Sequence, residues 1–126
     1  MEKKLSSGLK TVFLIHAVVG TIVGLAYLLI PSQVNDLINW PTTDDAPLRL
    51  VGAAILGFAV SSWLAYRETD WEHVKIVVQM EIFWTILATI VFLWGVLFAN
   101  LPAFGWVDAI VMAAFAIAFA YFYSRQ

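Results

Sequence analysis

The chain has 126 residues, 62% of them hydrophobic and 13% charged, with a formal net charge of -2. That charged share is about half the usual one, which leaves too little polar exterior for a soluble globule, and the length suits one domain. The small net charge argues against a nucleic-acid footprint or a polybasic lipid patch, and the lack of cysteine excludes disulfides, thiol exchange, Cys-ligated iron–sulfur clusters and thiolate zinc.

Four apolar stretches dominate, each long enough to cross a bilayer, where backbone polar groups must be satisfied inside helices. The fold class expected is therefore all-α: an integral membrane four-helix transmembrane bundle in a single domain, 1–126. The first span is expected at about 11–30, with Ser6 or Ser7 as N-cap and Pro31 ending it. The opening Met1-Glu2-Lys3-Lys4 resembles a signal peptide's. However, the apolar run is too long for an h-region and no small-x-small site follows, so it reads as a retained span. The connection 31–47 carries Val34, Leu37, Ile38 and Trp40 at near-helical spacing, which fits a short helix on the bilayer surface or an ordinary interfacial loop. The second span, about 48–66, has Asp44 or Asp45 as cap and Pro47 in its first turn. The third is expected at about 74–99. Asn100-Leu101-Pro102 mark a tight turn before the fourth, about 104–123.

Lys3, Lys4, Lys10, Arg67, Lys75 and Arg125 flank one side of this arrangement, while Arg49 is the sole cation on the other, beside Asp36, Asp44, Asp45 and Asp108. The positive-inside rule then gives cytoplasmic N- and C-termini, in a cell membrane expected to be prokaryotic.

Helices in lipid associate through small residues and buried polar groups. Gly20 and Gly24 form a GxxxG on the first span, and Ala53, Gly57 and Ser61 form a small stripe on the second. Glu81, Thr85, Ala88, Thr89 and Phe92 share a face of the third. The fourth divides into an alanine stripe (Ala109, Ala113, Ala116, Ala120) and a bulky one (Met112, Phe115, Phe119, Phe122). The small stripes are expected to pack within the monomer, with GxxxG dimerisation as the alternative.

His16 lies six residues past Lys10 and Glu81 six past Lys75, so each sits about 9 Å inward from its flanking lysine at 1.5 Å rise per residue. Both spans start on the same side, so the two residues meet at one depth. A His16–Glu81 hydrogen-bonded pair inside the bundle is the sharpest expectation, because intramembrane ionisable groups are costly and are functional candidates by default. The pair would hold a proton, a cation or a small polar ligand, assisted by Thr85 and near Trp84. The opposing reading is a lock that keeps two helices in register. Trp84, near mid-membrane, needs a partner for its indole N–H, and Thr85 or Ser61 are in reach. Arg49 and Asp108, at the outer ends of the second and fourth spans, are expected to form a mainly architectural salt bridge. Gln79 reads as bonding a neighbouring helix or snorkelling. No metal site, phosphate-binding glycine loop or catalytic Ser/His/Asp set is supported, and His16 and His73 suit bis-His haem poorly.

The segments LLIPSQVNDLINW, APLRLVGAAILGFAVSSWLAYRETDW and VVQMEIFW, above all the arginine followed by Gly-Ala-Ala and the long connection after a proline, resemble the DoxX-like group of small four-helix membrane proteins. The resemblance covers about two-thirds of the chain. It implies the four-span bundle and membrane-subunit roles that are quinone-linked in some members, which makes a quinone the one cofactor it brings into view. Two main functional readings follow, a small binding or transport protein centred on Glu81 and His16, and a non-catalytic accessory subunit of a larger membrane complex or homo-oligomer. A quinone-associated redox subunit is a third.

Overall fold

The computed structural model describes residues 3–41 and 44–126. Among the described residues the chain forms five helices: α1 (Ser7–Leu29), α2 (Pro31–Ile38), α3 (Asp45–Arg67), α4 (Trp71–Phe98) and α5 (Phe104–Arg125). The four long ones are apolar and long enough to span a membrane, so the protein is a multi-pass, all-helical membrane protein whose outer faces contact lipid. Helix starts and stops follow local chemistry. Ser6, in extended backbone, accepts a hydrogen bond from the Leu9 amide through its side chain and caps α1. Asp70 does the same for α4 through the Glu72 amide. Asp44 takes the N-cap position of α3, and Pro47 lies in its first turn. Asn39 ends α2 and Asn100 follows α4, both in the left-handed conformation that asparagine tolerates.

The connection after α1 does form a helix, the first of the two expected alternatives. Pro31 and Asn35 are its buried residues, while Leu37 is 86% exposed. The α4–α5 turn is closed by Leu101, whose amide donates to the Gly95 carbonyl. The Leu101 side chain fills space that a Cβ on Gly95 would enter, and Val96 does the same for Gly105, which lets the two helices leave the turn close together.

The bundle consists of two helix pairs. α1 packs along α3 and α4 along α5, while α1–α5 and α3–α4 touch more sparsely. The α1–α3 seam is glycine-mediated. A Cβ on Gly52 would lie 2.6 Å from the Leu28 amide nitrogen and 2.8 Å from the Gly24 carbonyl oxygen, and a Cβ on Gly20 would lie 3.1 Å from Ala59 Cβ. The GxxxG of α1 thus packs against α3 inside the monomer, as expected for the small stripes. The expected α3 stripe is corrected by this geometry. Ala53 and Gly57 turn outward, with nothing within 4 Å of a Cβ built on Gly57, and the contacts come from Gly52, Ala59 and Ser62. Glycine and alanine occur on both faces of α3, so small size alone did not identify the packed one. On α5 both stripes contribute to the interior: Ala109, Ala116, Phe115 and Phe119 are all buried.

Both termini and the α3–α4 turn share one end. The Leu5 amide donates to the Thr69 carbonyl and the Trp71 amide to the Lys3 carbonyl. Gln126 accepts from the Ser6 amide and donates to the Lys4 carbonyl. The main core, with Leu5, Leu9, Phe13, Trp71, Val74, Val78, Phe115 and Phe119, lies in this half of the bundle.

Candidate functional site

The sequence places two ionisable side chains at equal depth on α1 and α4, and the helix pairs turn them toward each other. His16 and Glu81 are both buried, Glu81 at 0% exposure, with Nε2 of His16 3.3 Å from Oε2 of Glu81. This is ion-pair distance without hydrogen-bond alignment, since Oε2 has no donor aimed at it. A third residue, unforeseen in the sequence, completes the group. Ser62 on α3 has its Oγ 2.8 Å from Nδ1 of His16, and it donates to Oε1 of Glu81 at 3.5 Å. The signal was present as a serine one residue beyond the small stripe, on a helix whose facing side periodicity left ambiguous.

The surroundings of this group are otherwise apolar. Phe115 and Phe119 meet the His16 ring edge-on, with centroids 4.8 and 5.6 Å away. Two aromatic rings therefore fix the imidazole's tilt, and its polar edge has only Ser62 and Glu81 to address. Thr85 is fully buried one turn beyond Glu81, but its hydroxyl donates to the Glu81 and Ile82 backbone carbonyls and not to the carboxylate. That is the back-bonding habit of threonine inside an apolar helix.

Proton placement within the triad is constrained by chemistry. When the Ser62 hydroxyl donates to Glu81, Nδ1 of His16 must carry the hydrogen it offers to Ser62. Nε2 and Oε2 then face each other as two acceptors, unless one proton sits between them on either atom. The arrangement can hold one proton shared between an imidazole and a carboxyl, away from water.

A cavity of about 260 Å³ lies between the two helix pairs. His16 forms part of its wall, with Gly20, Val23 and Tyr27 above it on α1, Ile55 and Phe58 on α3, and Trp84 and Phe92 on α4. Glu81 is not in the wall. The ligand site expected at Glu81 and His16 is thus not a polar pocket around the carboxylate: the open space is mainly apolar, extends from His16 toward the opposite end, and has the imidazole as its polar contact with the triad. The reason is packing: phenylalanines and the Trp71 cluster fill the terminal half.

The remaining candidates separate. Trp84 stacks on Phe58 at 4.8 Å in the cavity wall. Its expected hydrogen bond to Thr85 or Ser61 is not formed, since Ser61, like Thr85, donates to its own helix, at the Phe58 carbonyl. The expected Arg49–Asp108 bridge is also not formed. Arg49 reaches Asp45 on its own helix at 3.6 Å and donates to the Leu28 and Leu29 carbonyls that end α1, groups that a helix C-terminus leaves without intrahelical partners. Asp108 lines the cavity. Gln79 donates to the Tyr123 hydroxyl at 2.9 Å, joining α4 to α5. His73 lies out at the α3–α4 turn beside Glu68, and among the described residues no group of three His, Asp or Glu could hold a metal.

Comparison of the chain with protein-family models, with curated proteins and with solved structures gave no match in any of the three.

Proposed function

We propose that this protein is a small membrane binding or transport protein in which Glu81, His16 and Ser62 take up and release a proton, with the cavity giving access to His16. The observation that carries this reading is the enclosed contact of Nε2 with Oε2, bridged on its other side by Ser62. A purely packed interior would place leucine or phenylalanine there, because intramembrane ionisable groups are expensive. Both termini would face the cytoplasm, supported by six Lys/Arg at the terminal end against Arg49 at the other. The DoxX-like group is the family we propose, supported by the quoted segments and by the four-span bundle.

The test is infrared difference spectroscopy across a pH series on protein in liposomes, with proton flux followed by an entrapped dye. A carboxyl band that titrates in the parent and vanishes in Glu81→Gln, along with flux, supports the reading. A band insensitive to that variant overturns it. Because the chain has no cysteine, Asn39→Cys and Ser124→Cys report orientation cleanly: an impermeant maleimide on intact cells should label the first and spare the second.

A second reading is favoured by one observation, the complete enclosure of Glu81. In it the triad is a strut joining α1, α3 and α4 in an accessory subunit of a larger, quinone-linked complex or a homo-oligomer. Phe115 and Phe119 would not form its docking face, since both are buried in the monomer. Mild-detergent purification with mass spectrometry of co-purifying proteins and lipids separates this reading from the first.

A further inference from the structure

The end of the cavity away from His16 has chemistry that the triad does not use. Asp108 lines it together with Tyr27, Trp40 and Phe92. Counting along the helices, Asp108 lies about 6 Å in from the start of α5, Phe92 about 9 Å in from the end of α4 and Tyr27 about 3 Å in from the end of α1. All three thus lie toward the same end of the bundle, and Trp40, just past α2, closes on Phe92 edge-to-face with centroids 6.2 Å apart. Among the described residues no hydrogen bond or ion pair engages the Asp108 carboxylate, because the arginine expected to neutralise it is held by Asp45 and the α1 carbonyls. A lone carboxylate in a spanning helix, turned into a cavity walled by aromatic rings, lacks the partner that intramembrane carboxylates ordinarily have.

Three occupant classes can be weighed against this chemistry. A bare metal ion needs several oxygen ligands, and this end of the cavity offers one carboxylate and one phenol. An anion would be repelled by Asp108, and Arg49, the cation expected at this end, is already engaged. A neutral apolar molecule would suit the walls but leave the carboxylate uncompensated. An organic cation satisfies both, since its charge pairs with the carboxylate, its ammonium hydrogens or methyls lie against aromatic faces, and its apolar body fills the space toward Phe58 and Trp84. Size agrees: cavities of about 150 Å³ hold benzene, so 260 Å³ admits a ring with a substituted ammonium head.

We infer that the cavity is a binding site for a small hydrophobic organic cation, with Asp108 as counter-charge and Tyr27, Trp40 and Phe92 as the aromatic walls around its ammonium group. The site goes beyond the proton-holding triad, of which His16 alone lines the cavity, at the end away from Asp108.

The experiment is calorimetric titration of the protein in lipid nanodiscs with benzyltrimethylammonium, with benzyl alcohol as the uncharged ring and benzenesulfonate as the anion. Saturable one-to-one binding of the cation is expected, with both comparison compounds weaker by at least about ten-fold. Asp108→Asn should weaken the cation by a similar factor, while Asp108→Glu, which keeps the charge, retains it and shows that the bundle tolerates a change there. Glu81→Gln should bind the cation as the parent does, so proton uptake that is insensitive to Glu81→Gln, with cation binding intact, counts against the triad alone. No saturable binding of the cation overturns the inference, as does equal binding of benzyl alcohol or an Asp108→Asn affinity matching that of Asp108→Glu.

Discussion

Ser62 stands between His16 and Glu81, its hydroxyl 2.8 Å from the imidazole and within reach of the carboxylate. It thereby converts a contact between α1 and α4 into a junction of three helices. Ser62→Ala should leave one imidazole nitrogen and one carboxylate oxygen without their partner and destabilise the bundle by about 1 kcal/mol, within the range for hydrogen bonds inside membranes. Ser61→Ala, which removes only a bond to the Phe58 carbonyl one turn back, should be close to neutral. Reversible unfolding in mixed micelles compares the two directly, and equal effects would mean that Ser62 is not a junction.

The α1–α3 seam leads to a second comparison. Gly52→Ala inserts a methyl against backbone atoms of Leu28, Gly24 and Tyr27 at 2.6–2.9 Å, which cannot yield as a side chain can. A loss of about 1–3 kcal/mol is expected from this overpacking. Gly57→Ala meets nothing within 4 Å and should be neutral or slightly stabilising. Thermal unfolding of both variants checks this, and similar melting shifts would contradict the seam.

Arg49 is tied to its own helix and to the end of α1. A double-mutant cycle of Arg49→Ala with Asp108→Asn should therefore give a coupling below about 0.5 kcal/mol, as for independent sites. Arg49→Ala alone should cost about 1 kcal/mol through the lost Leu28 and Leu29 carbonyl contacts. A coupling above about 1 kcal/mol would restore the cross-bundle bridge.

Ser6 caps α1 at the point where the N-terminal strap crosses the α3–α4 turn. Ser6→Ala should cost about 1 kcal/mol, the usual loss for an N-cap. Amide exchange should rise first at Leu9, whose N–H the hydroxyl holds, and no change in exchange there would contradict the cap.

Much of this architecture was legible in the residues. The four spans were, because about 20 apolar residues in a row have few alternatives to a transmembrane helix. The helix starts were legible from Ser6 and Asp44, and the tight α4–α5 turn from Asn100 and Pro102. The meeting of His16 with Glu81 followed from matched depth, since rise per residue converts sequence distance from each flanking lysine into height. Two things were not legible in the same way. The packed face of α3 was ambiguous because Gly52, Ala53, Gly57 and Ala59 put small residues on both sides of the helix, and lipid imposes no polar–apolar contrast to choose between them. Arg49 found its partners on helix carbonyls, which every sequence contains and none announces.

Height along the membrane and the class of fold were thus determined by the chain alone, since both depend on composition and on a fixed rise per residue. Azimuth, meaning which side of each helix looks inward, was decided only when the four helices packed as two pairs. That choice brought Ser62 into the triad, turned Gly57 to lipid, and left Asp108 facing a cavity in place of an arginine. Its physical cause is close backbone contact at Gly24 and Gly52, which sets the rotation of α1 against α3 and with it the direction of every side chain they carry.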